Sequence, residues 1–427
     1  MKSKELKLET KCIHSGYEAA SGEPRVFPLV QSTTYKYDTA DELGDLFDLK
    51  TEGHIYSRIS NPTLAVFEEK IADLEGGVAA VATSSGQSAN ILSVLTICKT
   101  GDNILALSNL YGGTVSLFTN TLSRYGIEVR FIGLNDSDKK IEENIDENTK
   151  LIFGETIGNP GVDVLDIERV SEIAHKNNIP LIVDNTFATP ILCRPIEHGA
   201  DIVTHSTTKY IDGHSRALGG VVVDSGKFDW NNGKFDDLVN PDISYHGISF
   251  TETFKEAAYS AKARCTFVRD IGFIMAPFNA FLTLQGIETL HLRMERHSEN
   301  AMKIANYLEN NEHIEWVKYP KLKSSGTYNL AEKYLRKGAG GIIAFGVKGG
   351  VESAKKFIDS LEIISLLTHV ADSKSCVIHP ASTTHRQLTK VQLENAGITE
   401  NLIRLSVGIE NIDDLIEDID QALNSIK

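Results

Sequence analysis

The chain has 427 residues, of which 41% are hydrophobic and 24% charged, an ordinary globular composition with enough length for two domains and a large core. A formal net charge of −15, with no dense Lys/Arg block, disfavours nucleic acid and anionic membranes and favours small metabolites as partners. The five cysteines form no CxxC motif and no HExxH occurs, so the sequence predicts neither a disulfide framework nor a metal site.

The segment before Pro62 lacks alternating strand and helix patterns, and we predict an extended arm over residues 1–61. Its first residues are polar, with no apolar core of a signal peptide, and no apolar stretch in the chain approaches membrane-spanning length. We therefore expect a cytoplasmic protein.

The first marked helix is predicted at Asn61-Pro62, which supplies a cap and a first-turn proline. Apolar residues then recur at helical spacing until Gly76-Gly77, namely Leu64, Phe67, Ile71 and Leu74. From there to about Val223 strand-like and helix-like runs alternate, a pattern typical of βαβ units and a mainly parallel sheet. A second helix is predicted from about Thr114 to Tyr125, ending at Gly126.

A small-residue strand from Val78 leads into a polar turn with Gly86 and Gln87 and then an apolar helical pattern. Helix amino termini bind phosphate through free N–H groups, although most such turns are only helix starts. Neither GxxxxGK[ST] nor GxGxxG occurs, which argues against a nucleoside triphosphate or a dinucleotide as ligand.

Asp184 ends the apolar run that starts at Pro180, which predicts a strand buried in a parallel sheet. The carboxyl ends of such strands carry ligand groups, and a buried carboxylate needs a cationic partner, which a protonated pyridine nitrogen would supply. The alternative is that Asp184 only caps the following turn.

Lys209 follows another apolar strand, directly after Ser206, Thr207 and Thr208. A lysine in this position can keep its amine unprotonated with an anion beside it, which suits a Schiff base with a phosphorylated aldehyde. Taken alone, a surface lysine after a strand is the commoner explanation.

After about Lys262 the pattern changes to a long helical stretch over residues 278–310 and short strands near residues 342–345 and 403–407. A capped last helix carries an apolar stripe that we expect to pack on the smaller domain: Ile412, Leu415, Ile416, Ile419 and Leu423.

Arg404 points away from the apolar face of its predicted strand. Its planar fork is suited to a substrate carboxylate, and an ion pair on an edge strand is the alternative.

These elements, in this order, resemble the Cys/Met metabolism family of enzymes that depend on pyridoxal 5'-phosphate (PLP), over nearly the whole chain. Five segments carry the resemblance: Gly53–Thr63, Tyr111–Thr114, Val183–Thr186, His205–Tyr210 and His379–His385. The family implies an α/β fold of PLP-dependent transferase type I, similar to aspartate aminotransferase. A large domain (62–262) with a mainly parallel seven-stranded sheet would be followed by a smaller α+β domain (263–427).

The resemblance also implies the roles of individual residues. Lys209 would bind the cofactor and act as a base, and Asp184 would hold the ring nitrogen. The phosphate would be bound by Gly86, Gln87, Ser206 and Thr208. Tyr111 would stack on the ring near the leaving group, Asn159 would bind the ring oxygen and Arg404 the substrate carboxylate. Tyr56 and Arg58 would reach a neighbouring subunit's cofactor phosphate, which implies a homo-oligomer, a tetramer built from dimers.

The implied reaction replaces the γ substituent of a homoserine derivative. Gly113 stands where methionine-cleaving lyases of the family usually carry cysteine, and three segments favour O-acetylhomoserine and sulfide as substrates: Phe228–Trp230, Asn240–Gly247 and Ser382–Gln387. One departure concerns His369–Asp372, where Asn-x-Gly-Asp is more usual, and it leaves the acyl group and the nucleophile open.

Other activities remain alternatives at this stage. Within the family, these are the formation of cystathionine and the cleavage of methionine. From other classes, they are a nicotinamide oxidoreductase, disfavoured by the missing glycine fingerprint, and a non-catalytic scaffold.

Overall fold

The computed structural model describes residues 6–383, 386 and 399–426. Its larger sheet has seven strands in the order β1-β7-β6-β5-β4-β2-β3. These strands are β1 (Ala79–Thr83), β2 (Asn103–Leu107), β3 (Glu128–Ile132), β4 (Thr149–Glu155), β5 (Leu181–Asp184), β6 (Ile202–Ser206) and β7 (Gly220–Asp224).

All pairings in this sheet are parallel except those of β7, which runs antiparallel to β1 and β6. The predicted mainly parallel seven-stranded sheet is thus confirmed. The parallel strands β4, β5 and β6 are adjacent, so their carboxyl ends meet at one edge of the sheet.

The helices up to residue 271 are α1 (Leu8–His14), α2 (Ala40–Phe47), α3 (Pro62–Glu75), α4 (Gly86–Leu95), α5 (Gly112–Ser116), α6 (Asp138–Glu142), α7 (Ile167–Lys176), α8 (Thr189–Leu192), α9 (Asp236–Val239), α10 (Phe250–Phe254), α11 (Ala258–Lys262) and α12 (Arg269–Ile271). The prediction for α3 is confirmed at both ends. The Asn61 side chain accepts from the backbone N–H of Thr63, and Gly76 takes a left-handed φ of 79° at the carboxyl end.

The helical stretch predicted up to Tyr125 begins earlier, with α5, and changes its winding twice. A π-helical turn (Leu117–Thr121) and a 3₁₀ turn (Leu122–Tyr125) follow α5 before Gly126 ends the stretch at φ 71°.

The predicted arm over residues 1–61 is not extended throughout, because α1 and α2 lie within it. Residues of α1 contact α3: Cys12 is fully buried, and the Lys11 Nζ lies 2.6 Å from the Asp73 Oδ1. Burial against α3, rather than a long periodic pattern, stabilises this short helix.

The second sheet has five strands in the order β10-β11-β12-β9-β8. They are β8 (Ile314–Lys318), β9 (Ile342–Val347), β10 (Ser365–Leu366), β11 (Cys376–Ile378) and β12 (Leu402–Ser406). The helices of this part are α13 (Pro277–Glu288), α14 (Leu290–Glu309), α15 (Tyr328–Tyr334), α16 (Gly350–Asp359) and α17 (Ile412–Ser425). The predicted smaller α+β part is therefore confirmed, with β9 and β12 close to their predicted positions.

Two details refine the prediction for this part. The long helical stretch is divided at Thr289 into α13 and α14. The stripe of α17 buries Leu415, Ile419 and Leu423, as expected.

All five cysteines are unpaired and buried. Among the described residues, no helix combines the length and apolar character that crossing a bilayer requires.

Candidate active site

Lys209 lies in the turn after β6, at the edge where the parallel strands end. Its Nζ lies 3.2 Å from the Nδ1 of His369, which comes from the other half of the chain. Burial and, to a smaller extent, the positive charge of Arg404 together lower the pKa of Lys209 to about 8. A substantial fraction of the amine is therefore neutral near physiological pH, as a nucleophile or base requires.

Asp184, at the end of β5, is the centre of a hydrogen-bonded group on one face of the sheet. Its Oδ1 accepts from the hydroxyl of Thr186 (2.5 Å), and its Oδ2 accepts from the amide of Asn90 (3.3 Å). The Asn90 side-chain oxygen in turn accepts from the hydroxyl of Thr204 (2.7 Å). These bonds fix the carboxylate at the sheet edge.

Glu155, the last residue of β4, lies beside Asp184 and was not predicted as a site residue. Burial and the negative charge of Asp184 raise the pKa of Glu155 well above its usual range. Its Oε1 accepts from the backbone N–H of Tyr111 at 2.7 Å. A neutral Glu155 avoids a second negative charge next to Asp184. We call this group the front cluster: Asn90, Glu155, Asp184, Thr186 and Thr204.

A second group, on the opposite face of the same strand ends, is here called the back cluster: Glu75, Thr156, Asn185 and His205. The Glu75 Oε1 lies 2.6 Å from the His205 Nε2 and accepts from the Asn185 amide at 2.8 Å. The Asn185 Oδ1 accepts from the Thr156 hydroxyl at 2.7 Å. The two groups face opposite ways because successive residues of a strand alternate between faces.

The predicted phosphate-binding residues meet at the amino end of α4. A Cβ added to Gly86 would lie 2.6 Å from the Cβ of Ser206, so the backbone at Gly86 packs directly on Ser206. The hydroxyl of Thr208 is bonded to Gly219, donating to its carbonyl (3.2 Å) and accepting from its N–H (3.1 Å). Ser206 and the start of α4 are thus together, whereas the Thr208 hydroxyl has other partners.

Tyr111 precedes α5, and its side chain is 45% exposed. A Cβ at Gly113 would lie 2.4 Å from the Tyr111 ring and 3.0 Å from the amide nitrogen of Gln87. The ring, Gly113 and Gln87 are therefore in close contact, and a side chain at position 113 would displace the ring.

Arg404 and Asn159 also meet at the site. The Nη1 of Arg404 donates to the Asn159 Oδ1 at 3.0 Å, and its Nε is buried with no hydrogen-bond partner among the described residues. The alternative of an ion pair on an edge strand is wrong: β12 lies between β11 and β9, and no described carboxylate pairs with Arg404. A buried, partly unpartnered guanidinium is suited to a carboxylate ligand.

Tyr56 and Arg58 lie elsewhere in the chain. Arg58 donates through Nη1 to the backbone carbonyl of Arg269 in α12, and its guanidinium lies 5.6 Å from the centre of the Tyr56 ring. Tyr56 forms a β-bridge with Thr34. Both side chains are exposed, and their polar groups reach the surface. Their contacts are with the amino-terminal segment and with α12.

Four residues of the front cluster escaped sequence analysis: Asn90, Glu155, Thr186 and Thr204. Two of them carried a signal. Asn90 is a polar residue between the apolar Ala89 and Ile91, and Glu155 ends an apolar strand just as Asp184 does. In the predicted segments around residues 379–387, Thr384, His385 and Gln387 lie outside the described residues.

The comparisons with known proteins bear on this geometry. Residues 9–424 match the family described as "Cys/Met metabolism PLP-dependent enzyme". The chain belongs to this family.

Relatives of this PLP-dependent chain include the O-acetyl-L-homoserine sulfhydrylase of Leptospira meyeri, 47% identical over 99% of this chain and 97% of the relative. The homocysteine synthase of Schizosaccharomyces pombe is 49% identical over 97% and 98% of the two chains. The crystal structure of a candidate O-acetylhomoserine (thiol)-lyase from Campylobacter jejuni, which contains N'-pyridoxyl-lysine-5'-monophosphate, has a TM-score of 0.95 and 39% identity. The match covers 98% of this chain and 100% of the Campylobacter jejuni chain.

The residues of this PLP-dependent chain fit its cofactor. Lys209 offers a buried amine with a lowered pKa, and Asp184 offers a carboxylate fixed at the sheet edge. The amino end of α4 presents backbone N–H groups where a side chain at Gly86 would not fit. An amine, a carboxylate and an anion site correspond to the aldehyde, the ring nitrogen and the phosphate of the cofactor.

Proposed function

We propose that this protein is an O-acetylhomoserine sulfhydrylase, a PLP-dependent transferase that converts O-acetyl-L-homoserine and sulfide to L-homocysteine and acetate for methionine synthesis. The observation that carries the proposal is the near-complete coverage, at 47–49% identity, of relatives named for this activity or for homocysteine synthesis. The close contact between Gly113 and the Tyr111 ring also supports it, because a cysteine there would disturb the ring.

The front cluster and its neighbours would hold the cofactor. Asp184 would bind the ring nitrogen, Asn159 the ring oxygen, and Tyr111 would stack on the ring. The phosphate would lie against the donors Gly86, Gln87 and Ser206, and Thr208 would join them by turning its hydroxyl from the Gly219 carbonyl to the phosphate. When bound, pyridoxal phosphate supplies an electron-poor ring that stabilises negative charge on the substrate.

Lys209 and Arg404 would act on the substrate itself. Arg404 would bind the substrate carboxylate, with Asn159 orienting its guanidinium through their 3.0 Å hydrogen bond. The neutral amine of Lys209 would then take the proton from the α carbon. Tyr111, which is 45% exposed, would donate a hydrogen bond to the leaving group.

Tyr56 and Arg58 would complete the site of a neighbouring subunit. Their exposure, with no contact to the Lys209 turn among the described hydrogen bonds, supports this role. A site shared between subunits requires an oligomer, and we propose a homotetramer built from dimers. We also propose three parts, an arm (1–61), a cofactor-binding domain (62–262) and a smaller domain (263–427), and a cytoplasmic location, which five unpaired cysteines support.

The test is a product assay with the purified, cofactor-loaded protein. O-acetylhomoserine is supplied with sulfide, with cysteine or alone, and homocysteine, cystathionine and 2-oxobutyrate are measured. We expect homocysteine with sulfide to dominate, and loss of all products in Lys209→Ala. Dominant cystathionine would indicate a cystathionine γ-synthase, and dominant oxobutyrate without a thiol would contradict a synthase. O-succinyl and O-phospho esters in parallel reactions identify the acyl group.

A further inference from the structure

The segment His369–Ser373 joins the turn that carries Lys209 to the smaller part of the chain. Ser373 donates to the backbone carbonyl of Gly213 through its N–H (3.0 Å) and its hydroxyl (2.7 Å). Ser215 donates to the carboxylate of Asp372. These bonds fix the segment against the residues that follow Lys209.

The same segment is also bonded to the second sheet. The backbone N–H of Ala371 donates to the Ser406 hydroxyl at 2.7 Å, and the Cys376 thiol donates to the His369 carbonyl at 3.3 Å. Ser406 lies two residues after Arg404 in β12, so both side chains lie on the same face of that strand. The His369 backbone is therefore held on the side of the sheet that faces the site.

The imidazole of His369 is a partner for the Lys209 amine. Among the described residues, the Lys209 amine makes its side-chain hydrogen bond to the His369 Nδ1, at 3.2 Å. No described carboxylate pairs with this amine. Because an ammonium group can only donate, Nδ1 must be the acceptor, and the ring proton lies on Nε2. Nε2 is buried and has no hydrogen-bond partner among the described residues.

The charges around the pair keep the ring neutral. Burial and, to a smaller extent, the positive charge of Lys209 together lower the pKa of His369 to about 4. Burial likewise lowers the pKa of Lys209 only to about 8, so at neutral pH the shared proton resides mainly on the lysine. The other titratable groups acting on the pair are Arg404, Asp372, Asp212 and Cys376.

We propose that His369 is a catalytic residue that exchanges protons with Lys209 during the reaction. The inference rests on the proposed role of Lys209 as the base. Lys209 takes the proton from the substrate's α carbon, and the electron pair of that bond stays on the substrate. The resulting ammonium passes a proton to the His369 Nδ1 as the Nε2 proton moves to an acceptor that reaches this unpartnered nitrogen when the substrate is bound, either the departing carboxylate or a water molecule. Because both transfers occur together, the buried ring carries no net charge.

The first experiment measures proton exchange without any leaving group. The cofactor-loaded enzyme is placed in D2O with norvaline, and the loss of the α hydrogen is followed by NMR. We expect His369→Gln and His369→Leu to slow this exchange about tenfold or more, because glutamine accepts a hydrogen bond but cannot pass a proton on. His313→Gln, at the start of the second sheet, is the control. If His369→Gln exchanged the α hydrogen at the wild-type rate, His369 would serve only as a hydrogen-bond acceptor, and the proposal would be overturned.

The second experiment measures the pKa of the Lys209 amine. The rate at which the cofactor-free protein combines with added pyridoxal phosphate is followed by absorbance across pH, since only the neutral amine attacks an aldehyde. We expect the wild-type rate to rise through pH about 8. A hydrogen bond to the charged form raises a pKa, so His369→Leu should lower this midpoint by about one unit.

An unchanged midpoint in His369→Leu would show that the two side chains do not interact, and the proposal would fail. His369→Gln, which retains an acceptor, should keep the wild-type midpoint. Neither measurement uses O-acetylhomoserine or sulfide. If those are not the substrates, only the product assay fails, whereas both measurements on His369 keep their meaning.

Discussion

Each of the strands β4, β5 and β6 contributes one residue near its carboxyl end to the front cluster. The next residue in the chain contributes to the back cluster. Glu155, Asp184 and Thr204 face α4, and Thr156, Asn185 and His205 face the opposite way, where Glu75 ends α3. The alternation of side chains between the two faces of each strand therefore builds two polar groups at the same edge of the sheet.

The two groups differ in their access to a ligand. The side chains of Glu75 and His205 are both 0% exposed and bond to each other, and Glu75 also accepts from the Asn185 amide. Asp184, in contrast, is only partly buried, and its neighbour Glu155 bonds the backbone of Tyr111, which acts electrostatically on Arg404. We therefore propose that the back cluster stabilises the fold and the front cluster serves the reaction, although their members are adjacent in the sequence.

The largest expected effect is on stability, in the back cluster. Glu75→Ala removes the acceptor of both His205 and Asn185. His205 is then buried without its side-chain partner, whereas Asn185 keeps its bonds to Thr156 and to the Cys193 carbonyl. We expect the free energy of unfolding to fall by about 3–5 kcal/mol. Urea unfolding followed by circular dichroism measures this change.

Glu69→Ala, at an exposed position of the same helix, is the control and should change stability by less than about 0.5 kcal/mol. The fraction of Glu75→Ala that remains folded should keep its kcat within a few-fold of wild type. A large loss of kcat in folded protein, with little loss of stability, would contradict the division between the two clusters.

Asp184→Asn tests the front cluster. The substitution keeps the shape of the side chain and removes its charge, so the cofactor ring loses its anionic partner. We expect kcat to fall roughly 10²–10³-fold while the free energy of unfolding stays within about 1 kcal/mol of wild type. Steady-state kinetics and urea unfolding on the same preparation give both values.

Asp201→Asn is the matched control for this substitution. Asp201 is a buried aspartate, whereas Asp184 is partly buried, and it precedes β6 and bonds His175 (2.8 Å) and the Leu181 N–H (2.8 Å) at the other end of the strands. It should lower stability and leave kcat close to wild type. If Asp184→Asn and Asp201→Asn lost activity equally, the position of Asp184 at the carboxyl ends of the strands would not explain its effect on activity.

Sequence patterns predicted the individual strands and caps well, because these depend on local chemistry. The Asn61 cap, the buried run ending at Asp184 and the turn carrying Lys209 all follow from neighbouring residues. Segments with weak local signals were missed: α1 depends on burial of Cys12 and on the ion pair of Lys11 with α3.

Contacts between distant segments could not be predicted from patterns. The alternation of a strand shows which residues share a face, but not which strands are neighbours. The proximity of Glu155 to Asp184 requires β4 beside β5, and that of His369 to Lys209 requires the smaller part to pack on the turn after β6. The sequence marked His369 only as a departure from the usual pattern, without a role.

The smallest expected effect concerns Arg404, which the second sheet contributes opposite the front cluster. Lysine keeps the positive charge but lacks the planar fork that makes two parallel hydrogen bonds to a carboxylate. We expect Arg404→Lys to raise KM for the amino-acid substrate about tenfold, with a smaller change in kcat. Kinetics with the substrate and with its carboxamide analogue measure how strongly the enzyme prefers the carboxylate, and this preference should shrink by the same factor.

Arg293→Lys separates this effect from the general consequence of changing a buried arginine. The Arg293 guanidinium donates to the backbone carbonyls of Tyr210 (2.6 Å) and Gly286 (2.6 Å), so its replacement should lower stability and leave KM unchanged. An unaltered preference for the carboxylate in Arg404→Lys would mean that another group binds it. The second sheet would then position the Lys209 turn without contacting the substrate, and the chemistry would belong to the strand ends alone.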